Sequence, residues 1–193
     1  MDKENLTSFI RNTFFISQER LEEITSHFKE IYIPRNDFFL RSGNVSNQYL
    51  FLDTGFMRGF TMDTEGNEVT TAFFGNRQVV FEVASFFLRI PSQENIQALT
   101  ASQGWYIDFD KVQHLFHSIP EFREFGRTVL VKGYASFKQR TLSMINLTAE
   151  KRYEQLMQTN PEVFQNAPLK HIASYLGITD TSLSRIRKEL SQR

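Results

Sequence analysis

The strongest constraint on this chain is a change of period near residue 110. From Phe28 to Phe109 the apolar residues come in short runs, each stopped by turn residues. Ile31-Tyr32-Ile33 stops at Pro34, Asp37 to Leu40 at Ser42-Gly43-Asn44, and Tyr49 to Leu52 at Asp53-Thr54-Gly55. Phe56 to Met62 and Glu68 to Phe74 flank Asp63-Thr64-Glu65-Gly66-Asn67, which reads as a hairpin. Asn95 to Thr100 and Gly104 to Phe109 supply two more strands. Short strands without alternating helices predict an antiparallel, jelly-roll-like sandwich or barrel. After Asp110 helical spacing takes over, so the expected fold class is α+β.

Two helices can be read around this roll. Residues 17–27 have Ser17 as N-cap and Leu21, Ile24 and Phe28 on one face. Ser118-Ile119-Pro120-Glu121 fits a capping box, with Ser118 as N-cap and Glu121 at N3, opening a helix over 120–145. Along it Leu130, Phe137 and Met144 recur every seven residues, with Tyr134 and Thr141 interleaved. Phe122, Phe125 and Val129 form a second stripe that faces the sheet. Either both stripes pack on the chain's own core, or the first is the seam of a homodimer.

Composition narrows the chemistry. The 193 residues carry 22 Lys+Arg against 22 Asp+Glu, which excludes a uniformly basic coat but not a local basic surface. From Thr148 onward the balance turns mildly basic, through Lys151, Arg152, Lys170, Arg185, Arg187, Lys188 and Arg193. Of the 20 Phe, only Phe164 lies in that region. Cysteine is absent, which removes disulfides, thiolate metal sites, iron–sulfur clusters and cysteine nucleophiles. The segment Met1 to Asn5 is charged with both signs, and no apolar stretch is long enough to cross a bilayer. The expectation is a cytoplasmic protein with no membrane partner. No His lies between Phe28 and Phe109, so a roll-borne metal site lacks ligands, and no catalytic set is visible. His114 and His117 are three apart, but solvated or capping roles suit them better than metal binding. The chain is expected not to be an enzyme and to need no resident cofactor or metal.

The stretch Leu169 to Lys188 has helix-turn-helix spacing. Leu169, Ile172, Ala173 and Leu176 make the inner face of a first helix. Gly177 sits where a turn needs positive φ, Ile178 buries the turn, and Thr179 is placed to N-cap a second helix. Leu183, Ile186 and Leu190 repeat at helical spacing on that second helix. Its outward residues are Asp180, Thr181, Ser182, Ser184, Arg185 and Lys188, which suit a DNA major groove. Arg185 can bond two acceptors of a guanine, and Asp180 can accept from a cytosine amine. Arg187, Lys188 and the hydroxyls of Thr179 and Ser184 suit phosphates. His171, on the first helix, is expected near the DNA backbone.

The order of these parts (roll, long helix, Thr148-Ala149-Glu150-Lys151-Arg152 opening another helix, then the helix-turn-helix) resembles the Crp–Fnr family of bacterial transcription regulators. The resemblance implies a homodimer joined through the long helix, a cyclic-nucleotide-binding-like sensor roll, a palindromic site on double-stranded DNA and contact with RNA polymerase. It also implies a division into residues 1–118 (sensor roll), 119–146 (dimerisation helix) and 147–193 (DNA-binding domain). The last part lacks a clear wing. The open alternative is a small-molecule sensing or interaction module that does not bind DNA.

One departure from the resemblance bears on the effector. Cyclic-nucleotide members carry a Gly-Glu pair followed by an Arg-Ser pair that neutralises the phosphate. Here the matching stretch runs from Phe81-Glu82 to Ser92-Gln93-Glu94-Asn95. Glu82 remains, the Gly has become Phe81, and the Arg-Ser cation is gone; Arg89 is the nearest substitute. Cyclic AMP is therefore not expected to bind. A pocket between roll and long helix is expected to be lined by Glu82, Arg89, Gln93, Asn95, Gln97, Lys132 and Ser136. Whether it holds an unknown small effector or is closed stays open at this level.

Overall fold

The computed structural model describes residues 2–192; Met1 of the amino-terminal segment and Arg193 of the basic count lie outside them. The chain begins with α1 (Glu4–Thr13) and α2 (Gln18–Ser26). Ser17 caps α2 by accepting from the Arg20 amide. Strands β1 (Lys29–Ile33), β2 (Phe38–Leu40), β3 (Gln48–Thr54), β4 (Met57–Met62), β5 (Glu68–Phe74) and β6 (Gln78–Val80) follow. Then come α3 (Val83–Leu88), β7 (Asn95–Ala98), β8 (Ser102–Asp108), α4 (Phe109–Ser118) and α5 (Pro120–Asn146). The rest is helical: α6 (Ala149–Thr159), α7 (Glu162–Asn166), α8 (Leu169–Tyr175) and α9 (Asp180–Leu190).

The strands form two antiparallel sheets, ordered β1-β8-β3-β6 and β2-β7-β4-β5. Their inner faces enclose Leu40, Leu50, Leu52, Met57, Val80, Ile96 and Ala98. A second core lies on the far side of the first sheet, where α1, α2, α4 and the start of α5 cover Phe51, Trp105 and Ile107. Gly104 is required there: a Cβ would strike the Phe51 carbonyl on the neighbouring strand. Most of the Phe excess is spent on these interiors; Phe86, for example, meets Phe81, Phe87 and Phe109 edge-on.

Five elements depart from the sequence reading. α1, β6, α3 and α7 are additional, and α4 fills the gap after Asp110 with a helix. The capping box does not form. α5 is capped by Ile119 with Pro120 at its first position, whereas Ser118 still belongs to α4 and donates to the His114 carbonyl. The two helices abut with one extended residue between them, which leaves Ser118 no room to turn back onto α5. Pro120, with no N–H to satisfy, is suited to that start. Among the described residues, no helix is long and apolar enough to cross a membrane.

The two stripes of α5 separate along its length. Phe122, Phe125 and Gly126 are buried against the roll, and Val129 packs partly beside them. Beyond Leu130 the helix leaves the roll, and Tyr134 and Phe137 are 65% and 63% exposed in the single chain.

Candidate nucleic-acid interface

The second half of the motif is built as its spacing requires. Gly177 takes φ +66°, in the left-handed region, and the Ile178 amide reaches back to the Ala173 carbonyl. Thr179 Oγ1 accepts from the Ser182 amide at 3.2 Å and caps α9. Leu183 and Ile186 are buried among Ile172, Ala173 and Leu176 of the preceding turn and helix. At 3.6 residues per turn, the opposite face carries Thr181, Ser184, Arg185 and Lys188, all exposed. Arg185 has 76% of its side chain in solvent and only a loose 3.8 Å pairing with Glu189. Asp180 lies exposed in the first turn and Arg187 on the flank. Ser182 is half-buried and shares its hydroxyl with Thr179. The predicted interface residues thus lie on one helix, with Ser182 withdrawn into the cap.

The first half differs from expectation at two positions. Leu169, placed on the inner face by its spacing, is 40% exposed because it opens α8 right after Pro168. His171 does not face outward. It is buried, and its Nδ1 lies 2.7 Å from Nη1 of Arg58 on β4. Arg58 is itself buried, paired with Glu68 at 2.5 Å, bonded to Gln97 at 3.0 Å and stacked over Phe60. An Arg N–H can only donate, so His171 Nδ1 accepts and the imidazole is neutral. Burial, reinforced by the Arg58 charge, pushes the His171 pKa down to about 4. Beside this pair Ser174 Oγ accepts from the Thr70 amide and lies 3.0 Å from its hydroxyl. Tyr175 packs on Phe73. These contacts dock α8 on β5, so the helix-turn-helix core is continuous with Phe56, Phe73 and Leu99 of the roll.

The expected pocket residues are not gathered into one cavity. Glu82 caps α3, accepting from the Ala84 and Ser85 amides at 3.0 and 2.6 Å. Arg89 turns the other way, to the Ser46 carbonyl and Asn47, over the Phe109 ring. Asn95 holds the Ser42 amide, and Gln97 is shared between Arg58 and the Asn36 carbonyl. Gln93 and Lys132 are exposed, as is Ser136. Glu94, absent from the expected set, is the acid that turns inward, and burial raises its pKa. The charge of Arg140, on α5, reaches Glu94 and opposes that shift.

Comparison with solved structures matches this architecture over nearly the whole chain. The c-di-GMP-responsive global regulator CLP of Xanthomonas campestris superposes with a TM-score of 0.71 at 15% identity, covering 91% of this chain and 92% of CLP. FixK2 of Bradyrhizobium japonicum gives 0.73 at 13% identity, over 86% and 85% of the two chains. A putative Crp/Fnr-family transcriptional regulator of Eubacterium rectale gives 0.71 at 13% identity, over 93% and 88%. This is the Crp–Fnr fold. No protein-family profile matches the chain, and none of the curated proteins matches it. The Crp–Fnr fold is therefore carried here by the order and packing of the elements, with little of the sequence held in common.

Proposed function

We propose that this chain is a sequence-specific DNA-binding transcription regulator that acts as a homodimer. The observation that carries the reading is the α9 face of Thr181, Ser184, Arg185 and Lys188, exposed on a helix whose other face is locked by a correctly capped turn. That geometry suits entry into the major groove, with Arg185 reading a guanine and Lys188, Arg187, Ser184 and Thr179 on phosphates. Asp180, in the first turn, is left to a cytosine amine.

In this reading residues 1–118 form the sensor, 119–146 the dimerisation helix and 147–193 the DNA-binding domain. The exposed Tyr134 and Phe137 of α5 support a twofold coiled seam, because apolar side chains on a solvated helix gain by pairing, whereas Met144 turns to the chain's own Gly177. Twofold symmetry then sets two α9 helices about 34 Å apart, matching a palindrome with half-sites one helical turn apart. Contact with RNA polymerase, a cytoplasmic location and the absence of catalysis complete the proposal. The diverted Arg89 and the inward Glu94 speak against cyclic AMP, so the effector of this reading is unknown or absent.

The test is selection of bound duplexes from random DNA, followed by mobility shift with Arg185→Ala. Loss of a bidentate base contact costs about 1–3 kcal/mol and relaxes preference at one base position. Failure to enrich any sequence overturns the reading, and an Arg185→Ala protein with unchanged preference overturns the assignment of Arg185.

A further inference from the structure

A cleft of about 160 Å³ opens between the second half of α5, α6 and the end of α8; of the residues expected to line the effector pocket, Ser136 alone lies on its wall. Its wall carries two guanidinium groups, Arg140 and Arg152, beside Gln139, Ser143, Gln155 and Thr159. Both arginines bond neutral acceptors. Arg140 donates to the Tyr175 carbonyl at 3.1 Å and lies over the Tyr175 ring, while its Nε–H is buried without an acceptor. Arg152 donates to the carbonyls of Leu147 at 2.7 Å and Leu176 at 2.9 Å. Among the described residues neither forms an ion pair; Glu94 acts on Arg140 only through its field.

Two permanent cations line one cleft of mixed polar and apolar walls, and among the described residues neither is paired with a carboxylate there. Guanidinium forks fit carboxylate or phosphoryl oxygens, and hydroxyl and amide side chains complete such a shell. We propose that this cleft binds a small multivalent oxyanion, of the size of a diphosphate or a tricarboxylate. An anion there contacts the long helix and α6, and reaches α8 through the two arginines that hold its last carbonyls. It thereby fixes the end of α8, and with it the turn at Gly177, against Met144 of α5. The site does not depend on the reading of α9 as a DNA-binding helix.

Calorimetry on the full chain at matched ionic strength tests this, with inorganic pyrophosphate and citrate as separate probes. Saturable heat is expected from one or both, distinguishing phosphoryl from carboxylate chemistry. Arg140→Gln is expected to weaken binding roughly tenfold or more, as loss of a charge-assisted contact does. Gln139→Glu leaves both arginine contacts in place and is expected to abolish binding by introducing like charge. In the unsubstituted protein the probe is expected to slow hydrogen exchange at the Gly177 and Ile178 amides. No saturable heat with either probe overturns the proposal. So does binding that survives Gln139→Glu, whatever Arg140→Gln does, because an anion held elsewhere ignores that charge.

Discussion

Acid should loosen the junction between roll and helix-turn-helix through one imidazole. In the native protein His171 is neutral with a pKa near 4, set by burial first and then by Arg58 and Lys170; Glu68 and Asp180 oppose them weakly. Once the junction opens, the ring returns to an ordinary value of about 6.5. The open state therefore binds more protons below pH 6.5, and stability falls as pH drops from there towards 4. At pH 5 the linkage relation gives a loss of about 2 kcal/mol relative to pH 7.5, roughly a thirty-fold shift in equilibrium. Urea unfolding at the two pH values measures it, with a midpoint drop of about 1 M for a slope near 2 kcal/mol/M. His171→Gln supplies a non-titrating acceptor for Arg58, so its midpoint should fall less by that amount. An identical pH response in both proteins refutes the assignment, as does a folded-state His171 resonance titrating near pH 6.5.

Other outcomes follow from single contacts. Phe137→Glu places a charge on the exposed seam of α5; sedimentation should show a monomer, and DNA affinity should fall by about a hundredfold or more as avidity is lost. Gly177→Ala forces a Cβ into a φ of +66° and to 2.5 Å from the Met144 terminal methyl, so thermal unfolding should show a cost of about 1–2 kcal/mol, partly relieved by Met144→Ala. Cyclic AMP should give no saturable heat in calorimetry, and saturation in the micromolar range would contradict the reading of Arg89 and Glu94.

The helix-turn-helix was legible because each of its determinants is local. Gly177, Thr179, Leu183 and Ile186 act on neighbours a few residues away, and a spacing rule captures them. The hairpin of β4 and β5 was legible for the same reason. The start of α5 misled because a capping signature is a statement about free backbone, and α4 had already claimed Ser118. α3 is a six-residue helix whose cap, Glu82, was read for ligand chemistry instead. The Arg58–His171 contact spans 113 positions, so no periodicity announces it. The only local hint was a titratable residue beside Ile172 and Ala173, on a helix otherwise committed to its core. The cleft at Arg140 and Arg152 was equally hidden, since its walls come from three separate helices.

The shared cluster of Phe56, Phe73 and Leu99 with Ile172, Leu176 and Leu183 has a consequence for protein engineering. Helices α6 to α9 do not close their own interior. Grafted onto a foreign sensor they would arrive with part of their interior stripped bare and a histidine lacking its arginine. Chimaeras should therefore carry β4 and β5 along with these helices.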